Sequence, residues 1–152
     1  MIELKYSHLN SFDFMGAVDK IDNTPAQKIS AKTLFDFNKI KNRLDAEQKR
    51  AKDCYSKLLE KHAEWEEVKT KDGKPLLGPG NKPIRKLVKE ESGEPVYKSK
   101  EAFLIDYKLM MEEKFEIKSA KLVAEDLINC GLTPKELRTV EPLTENPKEI
   151  GE

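Results

Sequence analysis

Cysteine, histidine and tryptophan are scarce in this chain: two, two and one in 152 residues. Cys54 and Cys130 have neither the spacing of a zinc or dithiol site nor the density of a disulfide scaffold, and both read as ordinary thiols in a reducing compartment. His8 and His62 stand far apart in sequence, and His62 falls between Leu58 and Trp65 at helical spacing, where a packed residue is expected rather than a metal ligand. No run of about 18 apolar residues occurs, which excludes a membrane-spanning helix. The opening MIELKYSHLNSFDF lacks the basic head, apolar stretch and cleavage site of a signal peptide. The only glycine-rich phrase, Gly78-Pro79-Gly80-Asn81-Lys82, lacks the glycine spacing and the Lys-Ser/Thr of a phosphate loop, and Pro79 removes an amide donor. It reads as a hairpin tip.

Carboxylates are plentiful instead. Asp13, Asp19, Asp22, Glu112, Glu113, Glu125 and Asp126 all fall where solvated helix surface is expected, and none is nominated as a general acid. No catalytic, cofactor-binding or metal-binding residue is expected, and no enzymatic activity.

Charged residues make up 37% of the chain and apolar ones 38%, with 28 basic against 28 acidic side chains. The apolar share is lean and the charged share high for a compact globule, a balance that points to long solvated helices with narrow apolar stripes. The zero net charge conceals a division. Residues 1–23 carry a balance of −2, residues 24–70 of +3, residues 71–100 of +4 and residues 101–152 of −5. Such polarity can orient self-association or draw in a partner.

The fold expected is mainly α: a long antiparallel helical hairpin or coiled coil with a small β-hairpin appendage and a short C-terminal helical segment. Residues 1–143 are expected to form a single elongated domain, followed by a flexible tail over 144–152. Residues 1–23 read as a strand over Met1–Tyr6, then a helix opened by Ser11 with Phe12, Met15, Val18 and Ile21 on its apolar face. Thr24-Pro25-Ala26-Gln27 has the form of a capping box and predicts a helix over residues 24–69, uninterrupted by glycine or proline beyond Pro25. Within it Phe37, Ile40, Leu44, Glu47, Ala51, Tyr55, Leu58, His62 and Trp65 follow spacings of three and four with one stutter, a seam that is apolar at both ends and hydrated at its waist. One stripe on so long a helix needs a partner. Phe37, Ile40, Leu44, Tyr55, Leu58 and Trp65 are therefore the candidate self-association or partner seam.

Residues 70–98 hold the turn signals Asp72-Gly73 and Ser92-Gly93 and predict one or two β-hairpins, restricted by proline to edge strands. No internal repeat covering the chain is apparent. Lys71, Lys74, Lys82, Arg85, Lys86 and Lys89 form the candidate basic contact surface of this insert. A basic hairpin can meet nucleic acid or an acidic protein, or serve only to keep an edge soluble. With Tyr97 the only nearby aromatic, nucleic acid ranks behind protein as the partner. Returning helices are expected over residues 99–143: one capped by Ser99 and bearing Phe103 and Tyr107, one capped by Ser119 and ending at Cys130-Gly131, and a third opened by the capping box Thr133–Glu136. Phe115-Glu116-Ile117 alternates as a short strand does.

In shape, the order of long helix, Gly/Pro-rich insert and returning helix is similar to the prefoldin-type helical hairpin. Asp72-Gly73-Lys74-Pro75, the stretch from Ser99 to Tyr107, Glu113 to Ile117, Gly131 to Leu137 and Val140 to Leu143 together resemble a family of small proteins encoded by tailed bacteriophages. The resemblance implies no active-site residues. Together with the exposed seam, its polar waist, the charge polarity and the missing catalytic constellation, it leads to the expectation of a non-enzymatic phage protein acting through protein–protein contacts in virion (tail or head) assembly or as a small structural component, as a homo-oligomer without a membrane, in the cytoplasm of an infected bacterium or within the virion. The rival expectations are a host-takeover or anti-defence protein that inhibits a host factor or sequesters a nucleotide signal, and nucleic-acid binding through the basic hairpin.

Overall fold

The computed structural model describes residues 1–145 and is mainly helical, with one long helix and two small two-stranded sheets. Its elements are β1 (Ile2–Lys5), α1 (Tyr6–Leu9), α2 (Phe12–Asp22), α3 (Ala31–His62), β2 (Trp65–Glu67), β3 (Arg85–Leu87), α4 (Lys100–Glu112), β4 (Lys114–Ile117), α5 (Ala124–Asn129) and α6 (Pro134–Thr139). They form two compact units: Met1–Ala51 with Met110–Glu152, and Lys52–Leu109. No helix among the described residues is long and apolar enough to cross a membrane.

The first unit is built on the pairing of β1 with β4. Ile2 opposes Ile117 and Leu4 opposes Phe115, so strand alternation sends all four to one buried face. On the other face Glu3 opposes Glu116 and Lys5 opposes Lys114, like charges that are relieved diagonally where Lys114 reaches Glu3 at 3.4 Å. Phe14, Ala17, Val18 and Ile21 of α2, Phe37, Ile40 and Leu44 of α3, and Leu122, Leu127, Leu137, Val140 and Leu143 complete this core.

Ser11 caps α2 as its sequence predicts, its hydroxyl accepting from the Phe14 amide at 3.2 Å. The buried face is nevertheless Phe14, Ala17, Val18 and Ile21; Phe12 lies outside it, 91% exposed, and Met15 is at its margin. The long helix is also shorter than the predicted residues 24–69. After Pro25 a single 3₁₀ turn forms over Ala26–Lys28, Ile29 is extended and buried, and Ser30 caps α3 by accepting from the Thr33 amide at 3.3 Å. The Thr24 hydroxyl instead donates to the Lys20 carbonyl at 2.7 Å and closes α2. At its far end α3 stops at His62, where β2 captures the chain, and the Leu59 carbonyl accepts twice, from the Ala63 amide at 2.9 Å and the Trp65 indole at 3.1 Å. Its 32 residues span about 48 Å.

Ser99 caps α4 through the Ala102 amide at 3.3 Å. Ser119 caps nothing: Leu122 is extended and pairs with Thr144, and α5 begins only at Ala124. That pairing buries Thr144, so Thr144 and Glu145 belong to the fold rather than to a tail; the remainder of the expected tail, residues 146–152, lies outside the described residues. The α6 capping box is complete, with Thr133 Oγ1 accepting from the Glu136 amide at 3.2 Å and Glu136 Oε1 accepting from the Thr133 amide at 3.0 Å. Lys20 adds an ion pair to Glu136 at 2.7 Å. Thr133→Ala is expected to lower unfolding free energy by about 1 kcal/mol, read as a lower urea midpoint at unchanged slope.

Candidate interaction surface

In the second unit, α3 leads into a β module over residues 63–98. β2 and β3 pair antiparallel, with Trp65 opposite Leu87, Glu66 opposite Lys86 and Glu67 opposite Arg85. Three turns of one design surround this ribbon. Thr70 donates to the Lys74 carbonyl and Gly73 to Thr70; Gly78 donates to Lys82 and Asn81 to Gly78; Glu90 donates to Glu94 and Gly93 to Glu90. Gly73, Asn81 and Gly93 hold the left-handed position of their turns, at φ of 78°, 58° and 87°. Two residues on come Pro75, Pro83 and Pro95, each in a single antiparallel bridge, to Lys69, Leu77 and Lys89. Proline fits there because the next residues, Leu76, Ile84 and Val96, supply the donors.

The module therefore contains a repeat. Val68-Lys69, Gly73 and Pro75 recur twenty residues later as Val88-Lys89, Gly93 and Pro95. The backbone repeats with them. Val68 donates to Ile84, Ile84 to Leu76, and Leu76 back to Val68, a closed ring of three hydrogen bonds. Its counterpart runs from Val88 to Glu64, Glu64 to Val96 and Val96 to Val88. The expectation of one or two hairpins is thus corrected to three turns, and a short repeat exists although none covers the chain. Its signal was legible as Gly/Asn-x-Pro-apolar at residues 73–76, 81–84 and 93–96.

The repeated backbone carries unlike surfaces. In the second half Val96 and Tyr97 are half-buried, and Tyr97 stacks on Phe103 of α4 with centroids 4.3 Å apart. The equivalent Leu76 and Leu77 are 40% and 53% exposed, and Ile84 beside them is 40% exposed. Charge divides the same way. The turns of the first half carry Lys71, Lys74 and Lys82 against Asp72, whereas the turn of the second half carries Glu90, Glu91 and Glu94.

The predicted basic surface is accordingly split. Lys71, Lys74 and Lys82 stand at the leucine-bearing end. Arg85 and Lys86 lie on β3 and are occupied: Arg85 pairs with Glu60 at 3.3 Å and lies over the Trp65 ring, and Lys86 pairs with Glu66 at 3.2 Å. Lys89 belongs to the second half, next to the acidic turn. Leu76, Leu77 and Ile84 were not among the predicted contact residues.

The predicted seam lies within the chain. Phe37, Ile40 and Leu44 are buried in the core of the first unit. Tyr55, Leu58 and Trp65 are half-buried in the second, Tyr55 meeting Phe103 and Tyr107 edge-on at 6.2 and 6.1 Å. The chain itself thus covers Phe37, Ile40 and Leu44, and covers Tyr55, Leu58 and Trp65 in part. His62, buried at the end of α3, contacts Asp106 through Nε2 at 2.7 Å, and Lys61 joins the same carboxylate at 3.1 Å. The His62 contact, then Lys61, hold the Asp106 carboxyl below its ordinary range.

The polar groups of the first unit are structural in form. Glu47, at the seam's waist, is buried rather than hydrated, accepting from the Tyr6 hydroxyl and paired with Arg43 at 2.9 Å. Asp126, expected on a solvated surface, is buried and accepts from the Ser30 hydroxyl at 2.7 Å, the Ser30 amide at 3.2 Å and the Thr33 hydroxyl at 2.5 Å. Burial pushes the Cys130 thiol above its ordinary range, away from a thiolate. Among the described residues no group of three or more His, Cys, Asp or Glu is placed to hold a metal ion. No family model, curated protein or solved structure matches the chain.

Proposed function

We propose that this chain is a non-enzymatic protein of a tailed bacteriophage that acts through protein–protein contact, as an assembly factor or small structural part of the virion. The observation that carries the contact reading is the uncovered end of the β module. Leu76 and Leu77 lie exposed where the equivalent Val96 and Tyr97 of the other half are half-buried, and Ile84 beside them is exposed as well. Large exposed apolar residues grouped on a rigid element, with cations around them, are the chemistry of a contact surface. The phage setting rests on the resemblance carried by Asp72–Pro75, Glu113–Ile117 and Gly131–Leu137. In this reading α3 and α4 act as a helical hairpin that presents the module, and the cytoplasm of an infected bacterium is where it works before or during incorporation into the virion.

A photo-crosslinking residue in place of Leu77, introduced in the infected cell, tests this. The expected result is a discrete adduct with a polypeptide that also appears in purified virions, and none from the same residue in place of Lys32 on the first unit. Absence of any adduct from position 77 would remove the contact reading. A second reading is favoured by Lys71, Lys74 and Lys82, for which the described residues provide no ion pair. Nucleic acid would then bind this end with affinity falling steeply as salt rises.

A further inference from the structure

The β module repeats one hydrogen-bonded ring and one turn design, and its two ends are opposite in charge. Lys71, Lys74 and Lys82 mark one end; Glu90, Glu91 and Glu94 mark the other; and none of the six has an ion pair among the described residues. We infer that the occupant of the basic end is a second copy of this chain, whose acidic turn Glu90–Glu94 docks against the turns Thr70–Lys74 and Gly78–Lys82. The inference rests on the protein-contact reading above and names the partner.

Three observations converge on it. The two sets of side chains are complementary in charge and project from turns with the same hydrogen-bonding pattern, so each end offers what the other lacks. The apolar residues of the basic end also need cover. Their equivalents Val96 and Tyr97 are half-buried, Tyr97 against Phe103 of α4, whereas Leu76, Leu77 and Ile84 remain 40–53% exposed. In the unit that bears the acidic turn, α4 also leaves Leu104 and Ile105 49% and 56% exposed, apolar area that no other part of the unit covers fully.

Pairing of two basic ends is disfavoured because it opposes lysine to lysine. Nucleic acid would satisfy the lysines but leave the three apolar side chains in contact with phosphate or water. The contact is heterologous, since one end of a copy meets the other end of the next. Copies therefore add head to tail and form either a ring or an open chain, according to the rotation between them.

Sedimentation analysis of the full chain and of two charge-reversed variants tests the inference. At low salt the wild-type mass is expected to rise with concentration from 17.4 kDa to at least twice that value, and to fall back at high salt. K71E/K74E/K82E, with two acidic ends, and E90K/E91K/E94K, with two basic ends, are each expected to remain monomeric alone. Their equimolar mixture is expected to associate again, because each supplies the end that the other has lost. All six positions are exposed turn residues, so both variants are expected to retain the wild-type circular dichroism spectrum. Should one fail to fold, the wild type alone decides. A mass that does not rise at low salt, or rises equally at high salt, overturns the inference, as does a mixture of folded variants that stays monomeric.

A monomeric wild type whose Leu77 adduct contains a different polypeptide overturns self-docking and leaves the protein-contact reading standing. A monomer that retards a DNA or RNA duplex, with loss of binding in K71E/K74E/K82E, overturns both.

Discussion

Leu44→Ala is expected to lower the unfolding free energy of the chain by about 3–4 kcal/mol, the range for a fully enclosed leucine whose site cannot collapse. Leu44 is buried to 0% exposure in one cluster with Phe37, Ile40, Ile2, Leu4 and Leu143. The loss combines the lost burial of the missing methyl groups with a cavity left in the first unit's core. It is read as a lower urea midpoint without a change in the mass of the protein in solution. The same substitution at Leu58, half-buried in the second unit, is expected to cost less. If Leu44→Ala left stability unchanged and altered only the oligomeric state, α3 would meet another copy through this face and the description of the first core would be wrong.

Asp126→Ala is expected to cost about 3 kcal/mol, because two hydroxyl donors and an amide lose a charged acceptor in a buried site. The carboxylate ties α5 to the first turn of α3, where its negative charge also complements the helix N-terminus. Burial by itself would push this carboxyl up. The hydrogen bonds from Thr33 and Ser30 outweigh burial and hold it below its ordinary range. A depressed folded-state value means that the stabilisation is present above the unfolded value of about 3.9 and is lost as pH falls through the lower folded value. Asp126→Asn is therefore expected to lose less than Asp126→Ala at neutral pH, and its stability curve should converge on that of the wild type in acid. Urea titrations at a series of pH values give both differences. Parallel curves for the wild type and Asp126→Asn down to the acid limit would contradict this account.

Local signals were legible where one residue decides the outcome. Ser11, Ser99 and Thr133 start their helices because each hydroxyl reaches an unpaired amide within its own turn. Phe115 and Ile117 alternate with charge, and a strand is the only element that sends both inward. The seam on α3 was also readable from its spacing. What covers it was not, because a helical stripe carries no record of whether its partner lies in the same chain.

The errors arose where a local motif competed with a tertiary one. Thr24-Pro25-Ala26-Gln27 has the residues of a capping box, yet burial of Ile29 draws the chain into an extended step and passes the cap to Ser30. Ser119 lost its helix because Leu122 is needed for pairing with Thr144. The candidate site was half visible. The lysines could be counted, but the ion pairs of Arg85 and Lys86, which Lys71, Lys74 and Lys82 lack among the described residues, depend on strand register. The repeat left its mark in the sequence as Gly/Asn-x-Pro-apolar, but its turns differ in charge, and it is the backbone hydrogen bonds that make their equivalence plain.

The central claim is that the leucine-bearing end of the β module is covered when the protein acts. Photochemical side-chain labelling of the dilute purified chain, compared with the chain in the assembly recovered from infected cells, measures this most directly. The account predicts that labelling of Leu76, Leu77 and Ile84 falls several-fold in the assembly while that of Phe12 on the first unit is unchanged. Equal labelling of the three residues in both states would contradict it.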